Sequence, residues 1–206
     1  MKNIVLLLTC LFVFCIAAAG QNESSKEKPA SDNCEIRDLA ISAALGDVQA
    51  QYNLGVEFHR GDKVPQDLAK AAILWRLATK AGYIDAFNNL GHLTYYGRGI
   101  KSDPAEGVRL WRYAAVRGFA ESQIHIAFAY TDGKYLKPDY IEAYAWATAG
   151  RHFGSVQGEP DDQKAMIELA DSALKIINDH ISAAQLGIAK KRAALYIAQY
   201  APKEKF

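Results

Sequence analysis

The sequence has few cysteines, no excess of charge of either sign and no long apolar run. Only three of its 206 residues are cysteine, and Cys10 and Cys15 both lie within the first twenty residues. If that segment is removed, Cys34 remains alone and no internal disulfide can form. The fold must then be stable through packing alone. We expect the Cys34 thiol to be inert, and a mixed disulfide with a partner is the alternative.

The charges are nearly balanced, with 24 Lys and Arg residues against 23 Asp and Glu residues. A protein that binds nucleic acid usually carries a clustered basic surface, and this composition gives no sign of one. It also lacks the polybasic arm that attracts a chain to a membrane surface. Half of the residues are apolar, which is typical of a folded protein. We therefore expect no nucleic-acid partner.

The one apolar run, Ile4 to Ala19, is shorter than the about 20 residues that a membrane-spanning helix needs. A lysine precedes the run, and small residues end it, as before a signal-peptidase site. We predict a signal peptide over residues 1–20, cleaved after Ala19 or Gly20, and a periplasmic or secreted protein without a membrane span. An uncleaved anchor, or a lipoprotein attached through one of the two early cysteines, is the alternative.

After residue 20, the only periodicity in the chain is that of α-helices. Residues 21–33 are polar, rich in Ser and Lys and without a period, so we predict a flexible spacer there. From residue 34 onward, apolar residues recur at helical spacing. No segment has the sustained two-residue alternation of a strand bounded by turn residues. The sequence therefore predicts an all-α domain over residues 34–206.

A repeat of about 36 residues organises this domain. The copies span about 50–85, 86–121 and 122–157, and matching positions carry the same residue type. The matched columns are Leu54, Leu90 and Ile126; Gly61, Gly97 and Gly133; Val64, Ile100 and Leu136; and Asp67, Asp103 and Asp139. A tryptophan follows in each copy, at Trp75, Trp111 and Trp146. Such units stack on one another because one unit alone cannot bury its apolar face.

Each column has a physical role in a helix–turn–helix unit. The glycine column that starts at Gly61 marks where the first helix ends in a left-handed conformation. The aspartate column caps the second helix. A glutamate three residues later, Glu106 or Glu142, is expected to complete a capping box in repeats two and three. Gly55 and Gly91 remove side chains where two helices approach closely.

The stretch "AQYNLGVEFHRGDKVPQDLAKAAILWRLATKAGY" resembles the Sel1-like repeat (SLR), a relative of the tetratricopeptide repeat (TPR). The resemblance covers residues 37 to about 155 and implies an α-solenoid of stacked helix pairs that winds into a right-handed superhelix. The chain departs from the family pattern with Thr94 in the aromatic column, Lys63 for a loop glycine and Ala147 where the other repeats hold Trp. These departures weaken single columns and leave the assignment intact.

Helices at both ends complete the predicted solenoid. Residues 34–46 align with the second half of a repeat and predict a capping helix. Residues 161–200 predict two further helices, the last of which resembles the family's terminal helix, with Ser182 and Gln185 as its cap. The predicted inward residues are Met166, Ala170, Leu174 and Ile177 in the first of these, and Leu186, Ala189, Ala193 and Ile197 in the second.

No catalytic or metal-binding constellation is apparent. His59, His92 and His125 are evenly spaced, but their interval differs from the repeat length. We therefore expect each to lie at a different position along its own helix, so that the three cannot bind one metal ion. No histidine pair has the spacing of a helical metal site. No phosphate-binding loop or nucleophile motif occurs either. We predict no enzymatic activity, no metal and no cofactor.

The resemblance to TPR packing places a binding groove on the concave face, which the first helices line. The candidate groove residues are Tyr52, His59, Arg60, Asn88, His92, Tyr95, Tyr96 and Phe128. Aromatic and arginine side chains on an accessible surface are typical of binding hot spots. Alternatively, Tyr95 or Tyr96 only covers a helix–loop junction.

These observations favour a non-enzymatic, monomeric adaptor that binds a protein or peptide in its groove, in the periplasm or outside the cell. The resemblance implies narrower versions: an immunity protein that neutralises a phospholipase-type toxin in the periplasm, or a component or regulator of an envelope machine. A role toward a host is also open. A β-lactam-binding enzyme is the alternative from another class, although such relatives are rich in paired cysteines.

Overall fold

The computed structural model describes residues 30–201, with side chains from residue 34 onward. The predicted signal peptide and residues 21–29 of the predicted spacer lie outside the described residues. Residues 30–33, which the sequence assigned to the spacer, instead form the start of the first helix, four residues before the predicted capping helix. Within the described range there are nine helices and no strand, which confirms the all-α prediction. The helices are α1 (Ala30–Ala44), α2 (Val48–Arg60), α3 (Leu68–Lys80), α4 (Ile84–Tyr96), α5 (Pro104–Ala115), α6 (Ala120–Asp132), α7 (Tyr140–Gly154), α8 (Pro160–Asn178) and α9 (Ala183–Gln199). None of these nine is both long and apolar enough to cross a bilayer.

The described chain forms two compact units that divide between Tyr83 and Ile84. In the first unit, α1 packs on α2, and α2 packs on α3. In the second unit, each helix from α4 to α7 packs on the next, α8 also packs on α6, and α9 packs on α7. The predicted helix–turn–helix repeat is therefore the building element, as the pairs α2–α3, α4–α5 and α6–α7.

Each repeat ends its first helix and begins its second with the two predicted signals. The glycine column has left-handed φ angles of 79°, 70° and 61°, at Gly61, Gly97 and Gly133 respectively. Such angles are strained for residues with a Cβ, which explains the glycines. The aspartate column accepts backbone N–H groups at the starts of α3, α5 and α7, through Asp67, Asp103 and Asp139. The loop positions predicted from the repeat are confirmed.

The capping boxes predicted at Glu106 and Glu142 are not formed. Glu106 instead pairs with Arg109 on the surface of α5, with 2.6 Å between Oε2 and Nε. The carboxylate of Glu142 instead accepts hydrogen bonds from two side chains of α9. The backbone N–H groups that a capping box would use are already paired, because Asp103 donates to the carbonyl of Thr94 at 2.8 Å and Asp139 donates to that of Tyr130 at 3.3 Å.

Helix α9 is fastened to α7 through Glu142. The guanidinium of Arg192 donates to one oxygen of this carboxylate, and the hydroxyl of Tyr196 donates to the other at 2.8 Å. The capping box predicted at Ser182 and Gln185 is present at the start of α9. The start of the last helix is thus fixed by a local cap, and its position against α7 is fixed by the contacts of Arg192 and Tyr196 with Glu142.

The tryptophans fill the core, and glycines make room for two of them. A Cβ on Gly55 would lie 2.5 Å from the indole of Trp75, and one on Gly91 would lie 2.6 Å from that of Trp111. Both indole N–H groups donate to a backbone carbonyl of the first helix of the same repeat. Trp146 stands one position off this column, and the rings of Tyr196 in α9 and of Tyr200, directly after α9, pack against it instead.

Candidate functional site

Two first helices, α4 and α6, meet near their N-terminal ends through buried polar side chains. Asn88 is 2% exposed, and its amide nitrogen donates to Glu121 at 2.9 Å. Its amide oxygen accepts the hydroxyl of Ser122 at 2.8 Å. Its backbone carbonyl accepts the indole N–H of Trp111 at 3.1 Å. Because a buried amide costs free energy unless its groups are paired, these bonds fix α4 against α6.

A second polar contact joins the C-terminal ends of the same helices. The hydroxyl of Tyr95 donates to the carboxylate of Asp132 at 3.0 Å. The ring of Tyr135 meets that of Tyr95 edge-on, with 5.1 Å between centroids. Burial, and then the hydrogen bond and charge of Asp132, raise the pKa of Tyr95 well above its ordinary value. The phenol therefore stays neutral and keeps its proton for this bond.

Between these two contacts lies a surface that we call the histidine face, formed by His92 and Tyr96 of α4 and Glu121 and His125 of α6. The ring centroids of the two histidines are 5.9 Å apart, and His92 lies 4.8 Å from Tyr96. Trp111 lies beneath and stacks on His125, with 4.8 Å between centroids and 24° between planes. Tyr96 is 51% exposed, and the other three are half-buried. The face is an accessible group of rings supported by a buried indole.

Glu121 is the carboxylate of the histidine face. Its Oε1 lies 3.5 Å from Nε2 of His125. Burial by itself would raise the pKa of Glu121, but the hydrogen bond and charge of His125, the hydrogen bond from Asn88 and the charge of His92 bring it below its ordinary value. Glu121 is therefore ionised at neutral pH, and the face holds one negative charge beside two imidazoles.

The structure corrects part of the predicted groove in the second unit. His92 and Tyr96 lie on the histidine face, and Phe128 is half-buried against the core of this unit. The prediction that Asn88 and Tyr95 are accessible is wrong, because both side chains are buried. Asn88 is enclosed by its polar partners between α4 and α6.

The burial of Tyr95 follows from the residue before it. The aromatic column holds Phe58 in the first repeat and Thr94 in the second, and Tyr95 fills the core beside Trp111 instead, with 4.9 Å between centroids. Gly107 makes room for this ring, because a Cβ there would lie 2.7 Å from Cβ of Tyr95. The glycine in a column that otherwise holds alanine was the sequence signal for this shift.

The three predicted residues of the first repeat belong to the first unit. Tyr52 is half-buried, and its ring lies 4.8 Å from that of Tyr83. His59 is half-buried beside Trp75, with 5.5 Å between ring centroids. Arg60 is exposed at the end of α2. All three stay candidates for binding within this unit.

Sequence reasoning missed Glu121, and it interpreted the spacing of the histidines wrongly. Repeat-equivalent positions are about 36 residues apart, whereas the contacts from α4 to α6 near Asn88 join residues 33 or 34 apart. His92 and His125 follow this contact spacing, so their rings lie side by side. A spacing of 33 or 34 residues is thus the signal for contact near the N-terminal ends of α4 and α6, whereas Tyr95 and Asp132, which meet at the C-terminal ends, are 37 residues apart.

The chemistry of the histidine face suits recognition of polar and aromatic groups. The carboxylate accepts hydrogen bonds, the phenol donates and accepts, and each imidazole does either according to its protonation. In the part of the chain with described side chains, no three His, Cys, Asp or Glu residues are grouped so as to hold a metal ion. The predicted absence of metal and cofactor stays a prediction.

The sequence profile of the Sel1 repeat family matches residues 48–83, 84–119 and 120–150, half of the chain. No curated protein matches the sequence at a significant level. A crystal structure of c5321, a protective antigen present in uropathogenic Escherichia coli strains that displays an SLR fold, is 29% identical over 81% of this chain, with a TM-score of 0.68. The chain spans about a third (33%) of the length of c5321. A Sel1 repeat protein from Oxalobacter formigenes is 28% identical, with a TM-score of 0.49, over 65% of this chain and 98% of its own.

Proposed function

Because the chain belongs to the Sel1 repeat family, whose members generally mediate protein–protein interaction, we propose that it is a non-enzymatic adaptor that binds a protein or peptide. The SLR fold is typically a non-catalytic interaction scaffold. We assign the binding surface of the second unit to the histidine face. This surface replaces the groove residues Asn88 and Tyr95, which are buried.

The observation that carries this proposal is the exposed ring of Tyr96 beside two half-buried imidazoles. Covering an exposed aromatic ring with a partner removes apolar surface from water, at about 25 cal/mol for each Å². Tyrosine supplies this gain together with a hydroxyl, and it is enriched at binding hot spots. The imidazoles of His92 and His125 add hydrogen-bonding groups that give specificity.

The histidine face is held in place before a partner arrives. Asn88 and Ser122 fix one end of the contact between α4 and α6, and the bond from Tyr95 to Asp132 fixes the other. Side chains on a rigid support lose less conformational entropy on binding than those on a loop. A fixed surface on two helices therefore suits a partner that recognises a defined shape.

We also propose that the protein acts in the periplasm or outside the cell. The signal-peptide pattern over residues 1–20 supports this location, and a single cysteine after that segment suits an oxidising compartment. The structural neighbour c5321 is a protective antigen, which agrees with a protein that leaves the cytoplasm. Detection of the processed N-terminus in the periplasmic or culture fraction tests this part, and an intact Met1 in the cytoplasm would contradict it.

Crosslinking in cells tests the adaptor proposal. The full chain with a C-terminal tag is expressed in its native cells, crosslinked before lysis and purified. The variant His92→Ala/Tyr96→Ala removes two accessible rings of the histidine face and leaves the buried contacts between α4 and α6. The matched control His152→Ala/Ile176→Ala removes an exposed histidine and an exposed apolar residue from α7 and α8.

We expect one dominant partner with the wild type and with the control, and its loss with the histidine-face variant. Recovery of the same partner with all three proteins would contradict the assignment, and so would the absence of any partner from the wild type. Circular dichroism melting of each variant separates lost binding from lost folding.

A further inference from the structure

The two helices that carry the histidine face contain acidic residues and no Lys or Arg. Helix α4 has Asp85 in its first turn, and α6 has Glu121 in its first turn and Asp132 as its last residue. The Lys and Arg residues of these two repeats all lie on the second helices and in the loops, at Arg98, Lys101, Arg109, Arg112, Arg117, Lys134, Lys137 and Arg151. The first helices of the second unit are thus acidic, and the positive charge is kept off them.

Glu121 and Asp132 present their carboxylates on one side of α6, toward α4. They are eleven residues apart, which is close to three turns of an α-helix and about 17 Å along its axis. The side chain of Glu121 is 40% exposed, and Asp132 is exposed as well. Among the residues that the structure describes, no Lys or Arg forms an ion pair with either carboxylate. Their hydrogen-bond donors are amide, hydroxyl, backbone and imidazole groups.

Exposed tyrosine rings lie at the Asp132 end of the histidine face. Tyr96 is 51% exposed and Tyr135 is 41% exposed. The ring of Tyr95 meets both edge-on, with 4.9 Å and 5.1 Å between centroids. The ammonium group of Lys134 lies over the ring of Tyr135, 4.9 Å from its centroid. Because the face of an aromatic ring attracts a cation in this arrangement, the chain's own lysine shows that this end of the face accepts a positive charge.

We propose that the partner segment bound by the histidine face is basic, with an Arg or Lys head group that lies against Tyr96 between the carboxylates of Glu121 and Asp132. This inference rests on the adaptor proposal, because it specifies the chemistry of the partner for the same surface. A guanidinium or ammonium group placed there contacts an aromatic ring and has a carboxylate within reach. The charge of Asp132 already acts at this place, since burial first and then this charge raise the pKa of Tyr96.

Desolvation favours a basic partner over an apolar or an acidic one. Any partner that covers the face removes water from two carboxylates, and a carboxylate that loses water costs free energy unless a charged or hydrogen-bonding group compensates it. An apolar segment supplies no such group. An acidic segment would meet like charge at both ends of the face, which is unfavourable. A basic segment supplies both the opposite charge and the donors.

Selection of random decapeptides displayed on phage tests this inference without knowledge of the natural partner. The protein purified from full-chain expression is the target, at low salt and at pH 8, where imidazoles are generally neutral. Peptides retained by the wild type and not by His92→Ala/Tyr96→Ala are the ligands of the histidine face. We expect these peptides to contain more Arg and Lys, and fewer Asp and Glu, than the unselected library.

Two other outcomes of the selection are distinguishable. Ligands of the histidine face without an excess of Arg and Lys would overturn the inference and leave the adaptor proposal standing. The absence of any peptide that depends on His92 and Tyr96 would contradict the adaptor proposal, and the inference with it.

Fluorescence anisotropy with the tightest selected peptide then measures which charges matter. Exchange of the peptide's Arg and Lys residues for Gln should weaken binding about tenfold, and added salt should weaken it as well. Glu121→Gln and Asp132→Asn should each weaken binding about twofold to fivefold. Lys134→Gln should strengthen binding about twofold, because it removes a like charge that competes for the same rings.

The opposite sign expected for Lys134→Gln separates recognition from lost folding. Asp132→Asn also alters the contact with Tyr95, so weaker binding could come from a loosened fold, whereas tighter binding could not. Lys191→Gln, which removes an exposed cation of α9, is the matched control and should change nothing. A Lys134→Gln variant that binds no more tightly than the wild type, or carboxylate variants that bind as well as the wild type, would overturn the inference.

Discussion

At the scale of single residues, the indole of Trp111 occupies the place where a methyl group on Gly91 would lie. A Cβ there would come within 2.6 Å of the indole, and the ring is only 1% exposed. The same ring supports His125, and its N–H holds the backbone carbonyl of Asn88. One position without a side chain therefore sets the geometry of both the core and the histidine face.

We expect Gly91→Ala to destabilise the fold by about 1–3 kcal/mol, because the new methyl group overpacks a closed core. Gly187→Ala is the matched control, since it also lies inside a helix but meets open space. That control should gain about 0.5–1 kcal/mol from a better helix former. Urea unfolding measures both changes. A Gly91→Ala variant as stable as the wild type would mean that the indole moves freely, and would contradict this account.

Of the eleven tyrosines, Tyr95 and Tyr196 should resist alkaline titration most strongly, and burial and the charge of Asp132 also raise the pKa of Tyr96. Burial first, and then the hydrogen bonds to Asp132 and Glu142, raise the pKa values of Tyr95 and Tyr196 above the ordinary value of 10. A raised folded pKa means that the stabilisation is fully present below pH 10 and is lost as the pH rises through the folded pKa. We expect these two phenols to ionise only as the protein unfolds, with Tyr95→Phe removing one of them. Phenolate absorbance that reaches eleven residues in the folded protein near pH 10 would refute this.

At the scale of helices, local residues determine where each helix begins and ends, and distant residues determine what its surface contacts. The glycine and aspartate columns predict the ends of α2, α4 and α6 and the starts of α3, α5 and α7. By contrast, Glu142 pairs with a residue 50 positions later in the chain, on α9. No local pattern near Glu142 contains that partner, so the sequence predicts a capping box that the tertiary contact replaces.

Arg192→Met should loosen α9. The substitution keeps the aliphatic stem and removes the charged contact with Glu142, at a cost of about 1 kcal/mol for a partly exposed pair. Lys191→Met, which removes the neighbouring exposed cation, is the control and should have no such effect. Hydrogen exchange measured by mass spectrometry should show faster exchange over residues 183–199 with Arg192→Met. Unchanged protection there would mean that Glu142 does not hold the helix.

Acid should weaken the contact between α4 and α6 through Glu121. The folded pKa of this carboxyl lies below its ordinary value of 4.5, despite burial, because of His125, Asn88 and His92. Its stabilisation is therefore present above pH 4.5 and is lost as the pH falls through the folded pKa. Urea unfolding of Glu121→Gln should show lower stability than the wild type at neutral pH and a smaller loss in acid. Equal acid sensitivity of the two proteins would assign the loss to other groups.

At the scale of the whole chain, a period of about 36 residues is sufficient to predict an all-α protein built from helix pairs, and the family profile matches three such segments. The period does not predict which residues of the first helices are accessible, because that depends on how two helices cross. Asn88 is enclosed for this reason, and Tyr95 is enclosed because it supplies the large core ring that Thr94 lacks. Half of the predicted set in the second unit's α4, His92 and Tyr96, lies on the histidine face.

The most direct test of the histidine face as a binding surface is site-specific photocrosslinking in living cells. A photoreactive phenylalanine analogue replaces Tyr96 in one strain and Ile176, an exposed residue of α8, in another. We predict one discrete adduct from position 96 and none from position 176. No adduct from position 96, or the same adduct from both positions, would contradict the assignment of partner binding to this face.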